Sequence, residues 1–364
     1  MNFPHIVLLL SVLYSGCWAL DCTQIPDWQI FDGDQFWYPY NTTKAVTIPP
    51  NFQCTYTIKA PITSSQILFA NVGVTNLLRG PNDRLIITDS LGVKTVLGSL
   101  SSSWLEFEVF PGRPMTVQVI TKSVNTNSQF LIHVQYNKVT VGPTQMLKTG
   151  GIMNFVDMST IGGFRNNVPN SVSIQANEQM SVSMALAQTR WPVLYLSNCY
   201  IIDGDFLNQT QVRRLEDFAN AVPFVSKTNK ITFVSFQKDI YNDTAAVINP
   251  LSEVQQFSGI TAEASTGGEK NNVVLAPLDS KIALEIVAVQ EKKIIMDTLV
   301  FFAPIQPNCT AKIVTGPPNN YSQLLLDLTI SENLMPYTFN LKYFSVIAEN
   351  CEFAFTVTSP APQK

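Results

Sequence analysis

The chain has 364 residues, only 14% of them charged, and a formal net charge of −4. No basic block occurs, so nucleic acid and anionic membrane surfaces are not expected as partners. Beyond residue 19 no apolar run approaches the ~20 residues of a bilayer span, so neither a membrane span nor a GPI signal is expected.

The opening segment, MNFPHIVLLLSVLYSGCWA, has an apolar run from Ile6 to Tyr14 and small residues at Cys17 and Ala19. It reads as a secretory signal peptide over residues 1–19, cleaved after Ala19. No Lys or Arg precedes the run, and a buried N-terminal helix is the alternative. Cleavage leaves a chain of about 345 residues, enough for two domains with their own cores. Five cysteines then remain: Cys22, Cys54, Cys199, Cys309 and Cys351. Export permits disulfides. Many pairings are open to five cysteines with one left over, and spacing does not choose among them. The favoured pattern is Cys22–Cys54 and Cys309–Cys351, with Cys199 outside both, although Cys199 could pair with either downstream neighbour. Five sequons, at Asn41, Asn208, Asn242, Asn308 and Asn320, agree with an extracellular glycoprotein. At Asn308, early oxidation of the adjacent Cys309 would compete with glycosylation.

The first domain, 20–138, reads as short strands at 45–48, 54–58, 66–72, 84–88, 94–97, 104–109, 115–121 and 129–136. Turn residues separate them, as in Asp89-Ser-Leu-Gly and Pro111-Gly-Arg-Pro. IPPNFQCTYTIKAP (48–61) shows the logic: Thr55, Thr57 and Lys59 face water while Tyr56, Ile58 and Ala60 face a core. In FLIHVQY, Phe130, Ile132, Val134 and Tyr136 likewise point one way. Short strands without a long helix imply a sandwich or barrel.

Residues 139–151, with Gly142-Pro143 and Gly150-Gly151, read as a linker. A second β-rich domain follows over 152–358, with strands expected at 172–174, 180–185, 193–201, 231–236, 272–275, 282–289, 298–302, 323–328, 338–344 and 351–357. Whether it repeats the first domain is left open. In TQVRRLEDFANA the spacing of Val212, Leu215, Phe218 and Ala219 predicts a helix, with Thr210 as N-cap. A weaker helix is expected over 243–257, interrupted by Pro250. ASTGGEKNN (264–272) reads as a polar hairpin tip or mobile loop, and 359–364 as a polar tail. IFDGDQF and IIDGDFL share Asp-Gly-Asp; two ordinary turns are the simpler reading than a duplicated module.

The order signal peptide, LDC, FWYPY, VTIPPNFQCTYTIKAP, NDRLIITDSLG resembles the CUB-like domain family of secreted nematode proteins. The resemblance covers about 20–136, and IPPNFQCTYTI is its most specific piece. It implies a mainly β protein: a CUB-like jelly-roll β-sandwich, followed here by a second β-rich domain with one or two short helices. It also implies the Cys22–Cys54 bond and a role in the innate immune response to infection. Ordinary CUB domains usually carry two disulfides, and the first domain here has material for one. Many also bind calcium through several acidic side chains, and Asp83 matches one of those positions. Calcium needs six to eight oxygens. With no acidic partner evident near 70–76 or after WLEFEVF, Asp83 reads as a turn residue capping a strand start.

No catalytic set, cofactor site or metal site is expected. His133, the one histidine left after cleavage, lies on the polar face of a strand and reads as a solvated surface residue. A Ser-His-Asp arrangement would have to use it, and no G-x-S-x-G elbow, zinc cluster or P-loop occurs. Carboxylates converging from distant strands into a glycosidase site are the enzymatic alternative. An extracellular structural component linked through Cys199 is another. The apolar surroundings of Cys199 favour a buried structural cysteine or a disulfide partner over a reactive thiol.

The segment DWQIFDGDQFWYPYN crowds Trp28, Phe31, Phe36, Trp37, Tyr38 and Tyr40 together. Such rings close one end of a core, or they stack on sugars or dock to proteins. Trp28, Trp37, Tyr38 and Tyr40 are the candidate ligand contacts. The reading is a secreted, non-enzymatic binding glycoprotein that recognises an extracellular protein or glycan of microbial origin.

Overall fold

The computed structural model describes residues 20, 22–40, 42–124, 127–162, 168–187, 196–219, 222–236, 244–289 and 291–360. The signal-peptide segment and the sequons at Asn41 and Asn242 lie outside them. The chain is mainly β and divides into two compact units, Met1–Val139 and Thr140–Lys364.

The first unit is a sandwich of two antiparallel sheets. One runs β1 (Gln35–Tyr38), β9 (Gln129–Lys138), β4 (Leu68–Leu77), β7 (Trp104–Val109), with β2 (Val46–Thr47) also on β9. The other runs β3 (Gln53–Ile58), β8 (Met115–Ile120), β5 (Arg84–Thr88), β6 (Lys94–Leu97). Side chains alternate along every strand, and the inward set from both sheets meets in one core: Val72, Val74, Ile132 and Val134 against Tyr56, Ile58, Leu85 and Val117. β4 runs five residues past its predicted end, through Gly73-Val-Thr-Asn-Leu, because Val74 is buried against the core while Thr75 faces outward. Cys54 heads β3 and is bonded to Cys22, with the Cα atoms 5.8 Å apart.

The second unit holds three sheets. The five-stranded sheet runs β10 (Thr144–Met146), β12 (Ser171–Gln175), β17 (Lys230–Ser235), β14 (Cys199–Gly204), β15 (Gln209–Arg214). The nine-stranded sheet runs β11 (Asn154–Asp157), β18 (Thr244–Pro250), β13 (Met180–Leu186), β19 (Gly259–Ser265), β21 (Lys281–Ala288), β26 (Tyr343–Glu349), β23 (Thr310–Thr315), β24 (Leu324–Asp327), with β16 (Phe224–Val225) on β13. The four-stranded sheet runs β20 (Asn271–Leu275), β27 (Phe353–Thr358), β22 (Ile294–Phe301), β25 (Tyr337–Phe339).

Two of the unit's cores lie between facing sheets, while a third cluster, with Ala185, Val247, Ala262 and Val287, covers the other face of the long sheet. Val172, Ile174, Ile201 and Phe233 of the five-stranded sheet pack on Val182, Met184 and Ile248 of the long sheet. Val273, Met296, Phe353 and Phe355 of the four-stranded sheet pack on Leu284, Ile286, Ile313 and Phe344 farther along it. One sheet thus serves two sandwiches. Its halves are joined by parallel β13 and β19, which pair at Ala185–Ala262 and Leu186–Glu263. Cys309 is bonded to Cys351 in the second of these sandwiches, with Cα atoms 5.0 Å apart.

Several expectations are corrected. The helix expected over 210–221 is strand β15 followed by one 3-10 turn, Leu215–Phe218. Leu215, Phe218 and Ala219 are buried as their spacing implied, yet pairing with β14 holds the residues before them extended. The first half of the helix expected over 243–257 is instead β18, whose seven residues are all buried between β11 and β13; only α1 (Leu251–Val254) is helical. A continuous apolar run in a central strand carries no alternation to betray it. The 264–272 segment does not close a hairpin, because β19 and β20 belong to different sheets. The strand expected at 193–201 is β14, from Cys199 on, with 193–195 outside the described residues. The 338–344 strand is split between β25 and β26. Residues 144–146, within the expected linker, form β10 on β12. Ser359, within the expected tail, is buried and hydrogen-bonded to Ser265.

Candidate functional site

Alternation sorts the aromatic segment into two groups. On β1, Phe36 and Tyr38 point inward; Gln35 and Trp37 point outward. Phe36 packs edge-on against Tyr136, ring centroids 5.9 Å apart. Tyr38 is fully buried against Tyr56, and burial pushes its hydroxyl up to about 12 against the lowering effect of a hydrogen bond with the Ile25 backbone. Tyr38 is therefore a core residue and not a ligand contact: a two-residue period cannot expose both Trp37 and its neighbour. Trp28, Phe31 and Tyr40 are exposed on the connections flanking β1, Trp28 in the 3-10 turn Asp27–Gln29.

Trp37 lies on the outer face of the β1–β9–β4–β7 sheet. Its ring is stacked on His133, centroids 5.1 Å apart and planes 26° apart. His133 is half-buried rather than freely solvated; its Nε2 lies 3.3 Å from Gln35 Oε1, and desolvation lowers its pKa, so the ring is neutral at pH 7. Across β9, His133 is in register with Gly73, and Gly73 with Glu106. A β-carbon on Gly73 would run into the Trp104 ring. Glycine there lets the indole lie flat on the sheet, 47% exposed, with Nε1 donating to Glu106 Oε1 at 3.2 Å. Trp37, His133 and Trp104 form one aromatic platform. The alternation of WLEFEV marks Trp104, Glu106 and Glu108 as sharing a face; only the strand order shows that this face is also that of Trp37.

The other candidates have structural roles. Asp83 is buried: Oδ1 accepts from the Lys122 and Ser123 amides at 3.0 Å each, and Oδ2 from Ser128 Oγ at 2.6 Å. Burial raises its pKa, but these hydrogen bonds outweigh it and the carboxyl sits below its ordinary value. Among the described residues no three His, Cys, Asp or Glu side chains come together as a metal site. Cys199 is a buried thiol whose Sγ lies 3.4 Å from Ser235 Oγ, so a link to another chain would require opening the sheet. Asn208, Asn308 and Asn320 are exposed.

In the second unit, β16 pairs with Ser181 and Val182 of β13, and β19 with Ala185 and Leu186. Where neither pairs, a cavity of about 220 Å³ opens, lined by Met184, Leu186, Phe218, Ala219, Thr261 and Glu263 among others. Burial pushes Glu263 up to about 7. Glu285, wholly buried, is pushed up to about 8 by burial, against the opposing hydrogen bond from Asn249. The two acids do not converge. Glu285 is in register with Ala262, so Glu263 lies on the opposite face of the sheet.

Residues 18–140 match the family model of the CUB-like domain. No curated protein matches the chain. Among solved structures, the CUB1-EGF-CUB2 domain of human MASP-1/3 is 10% identical, with 89% of this chain and 98% of that chain covered and a TM-score of 0.21. The rat MASP-1 CUB1-EGF-CUB2 domains are 9% identical, with 93% and 99% covered and a TM-score of 0.22. A triple jelly-roll protein of an archaeal virus is 11% identical, with 90% and 87% covered and a TM-score of 0.23. No helix among the described residues is long and apolar enough to cross a membrane. The residues that match the CUB-like domain model are those of the N-terminal sandwich, which carries the Trp37–His133–Trp104 platform.

Proposed function

We propose that this protein is a secreted, non-enzymatic binding glycoprotein that recognises an extracellular protein or glycan through the outer face of its CUB-like domain. The resemblance to nematode CUB-like proteins adds a role in the innate immune response to infection, with a ligand of microbial origin. Two disulfides support an oxidising compartment, and the exposed asparagines of three sequons support glycosylation. The observation that carries the reading is the Trp37–His133 stack with Trp104 beside it: large rings on the outer face of a sheet, Trp104 exposed and the stacked pair half-buried.

The test uses mature protein recovered from the medium of a secreting eukaryotic cell. It is screened against immobilised glycans and against extracellular and microbial surface proteins, beside a Trp37→Ala/Trp104→Ala variant. Binding that the double variant abolishes, with folding intact, is expected. Retention in the cell, binding indifferent to both rings, or hydrolase activity abolished by one carboxylate substitution would overturn the reading.

A further inference from the structure

Two rows of outward side chains cross the β1–β9–β4–β7 sheet at right angles to its strands. The first row is Trp37, His133, Gly73 and Glu106, with the Trp104 indole lying over the glycine. The second, two residues along each strand, is Gln35, Gln135, Asn71 and Glu108. One row is planar rings and the other is planar amides ending in a carboxylate. Strands lie about 4.8 Å apart, so four of them span about 14 Å. A flat apolar track beside a line of hydrogen-bonding groups is complementary to a sugar chain, whose ring faces carry C–H groups and whose edges carry hydroxyls. Stacking of an aromatic face supplies contact area at low entropic cost, and fixed amides and carboxylates supply orientation.

Charge narrows the choice. Neither row holds a Lys or Arg, the one such residue on these four strands being Lys138 at the end of β9, and Glu106 and Glu108 both face out. His133 is neutral. An anionic polysaccharide laid along the two rows would meet two carboxylates and no cation within them. A protein partner is the poorer match, because interface hot spots are aromatic or Arg anchors that fill fully desolvated pockets, whereas these rings lie along an outer sheet face.

Resting on the binding function proposed above, we infer that this face takes a neutral saccharide chain laid across the strands, with its rings on Trp37, His133 and Trp104 and its hydroxyls on the Gln35–Gln135–Asn71–Glu108 row. The geometry also assigns Gly73 a positioning role, since it holds the Trp104 indole down.

The experiment titrates the full mature glycoprotein with neutral β-linked gluco-oligosaccharides and N-acetylglucosamine oligomers, and with heparin and hyaluronan as anionic probes. Calorimetry and tryptophan fluorescence are the readouts. A neutral oligosaccharide is expected to bind and shift tryptophan emission, longer chains more tightly than shorter ones. Trp37→Ala and Trp104→Ala should each weaken it by about tenfold. Gly73→Ala should weaken it as Trp104→Ala does, and Gln135→Ala less, with melting temperatures recorded for each. Trp37→Leu, which keeps an apolar cover over His133, guards against loss of fold and should still lose affinity. Preference for the anionic probes, or neutral binding indifferent to these substitutions, would overturn the inference. So would a protein ligand lost in Trp37→Ala alongside no response to any sugar, an outcome that leaves the binding function standing. If no ligand of either class depends on the rings, both fail.

Discussion

Asn249 donates a hydrogen bond of 2.9 Å to Glu285 Oε2 inside the nine-stranded sheet, and Glu285 Oε1 has no hydrogen-bond partner among the described residues. A carboxylate placed there would carry an uncompensated charge, so the folded protein holds Glu285 protonated to about pH 8, well above an unfolded value of 4.5.

The sign of the pH dependence follows. Between about pH 4.5 and 8 the folded state binds a proton that the unfolded state has released, so stability falls as pH rises and levels off above about 8. Glu263, held up to about 7, acts in the same direction over a narrower window. Calorimetry of the mature protein should show the second unit melting higher near pH 5 than near pH 8.5, the difference being on the order of a few kcal/mol. Glu285→Gln should flatten most of that slope. A wild-type melting temperature that rises through this range would contradict the assignment.

Asp83 is the opposite case. Its carboxylate is stabilised in the fold by two backbone amides and Ser128, so its contribution is present above the ordinary value of 3.8 and is lost as pH falls through the lower folded value. Asp83→Ala would strand these donors inside the protein. Urea unfolding should show the first unit destabilised by about 3 kcal/mol. A loss below about 1 kcal/mol would show that water replaces the carboxylate.

Gly73→Ala tests the packing beneath Trp104. The added methyl has to displace the indole, and overpacking of this kind costs about 1–3 kcal/mol. Tryptophan emission should shift to the red. The penalty should vanish in a Trp104→Ala background, which a double-mutant cycle measures directly. An equal penalty in both backgrounds would place the strain in the strand itself.

Cys54→Ser removes the bond that fastens the start of the mature chain to β3. The expected loss is ~3–4 kcal/mol, with retention in the secretory pathway. Pulse-chase secretion and the melting temperature of the first unit check it; normal secretion of an equally stable protein would argue against the bond's structural role.

Much of the first unit was legible because its strands are half-buried. Alternation in 54–58 and in FLIHVQY identified both strand and inward face, and turn residues located the ends. The second unit was harder for the same physical reason. Its central strands, such as β18, are buried throughout and lose the two-residue signature, while the apolar spacing around Leu215 copies a helix. Tyr38 belongs to a cluster of aromatic residues in the sequence, but its parity on β1 sends it inward.

Composition and local pattern by themselves determined the β character, the inward faces of the first sandwich and the cysteines available to bond. These depend on burial preference and chain periodicity, which are local properties of the sequence. Only the tertiary structure decided that Trp37, His133, Gly73 and Trp104 meet, that Glu263 and Glu285 lie on opposite faces, and that one sheet serves two cores. Those outcomes depend on which strands become neighbours and in what register. That is set by the summed packing of the whole core, which no short segment encodes.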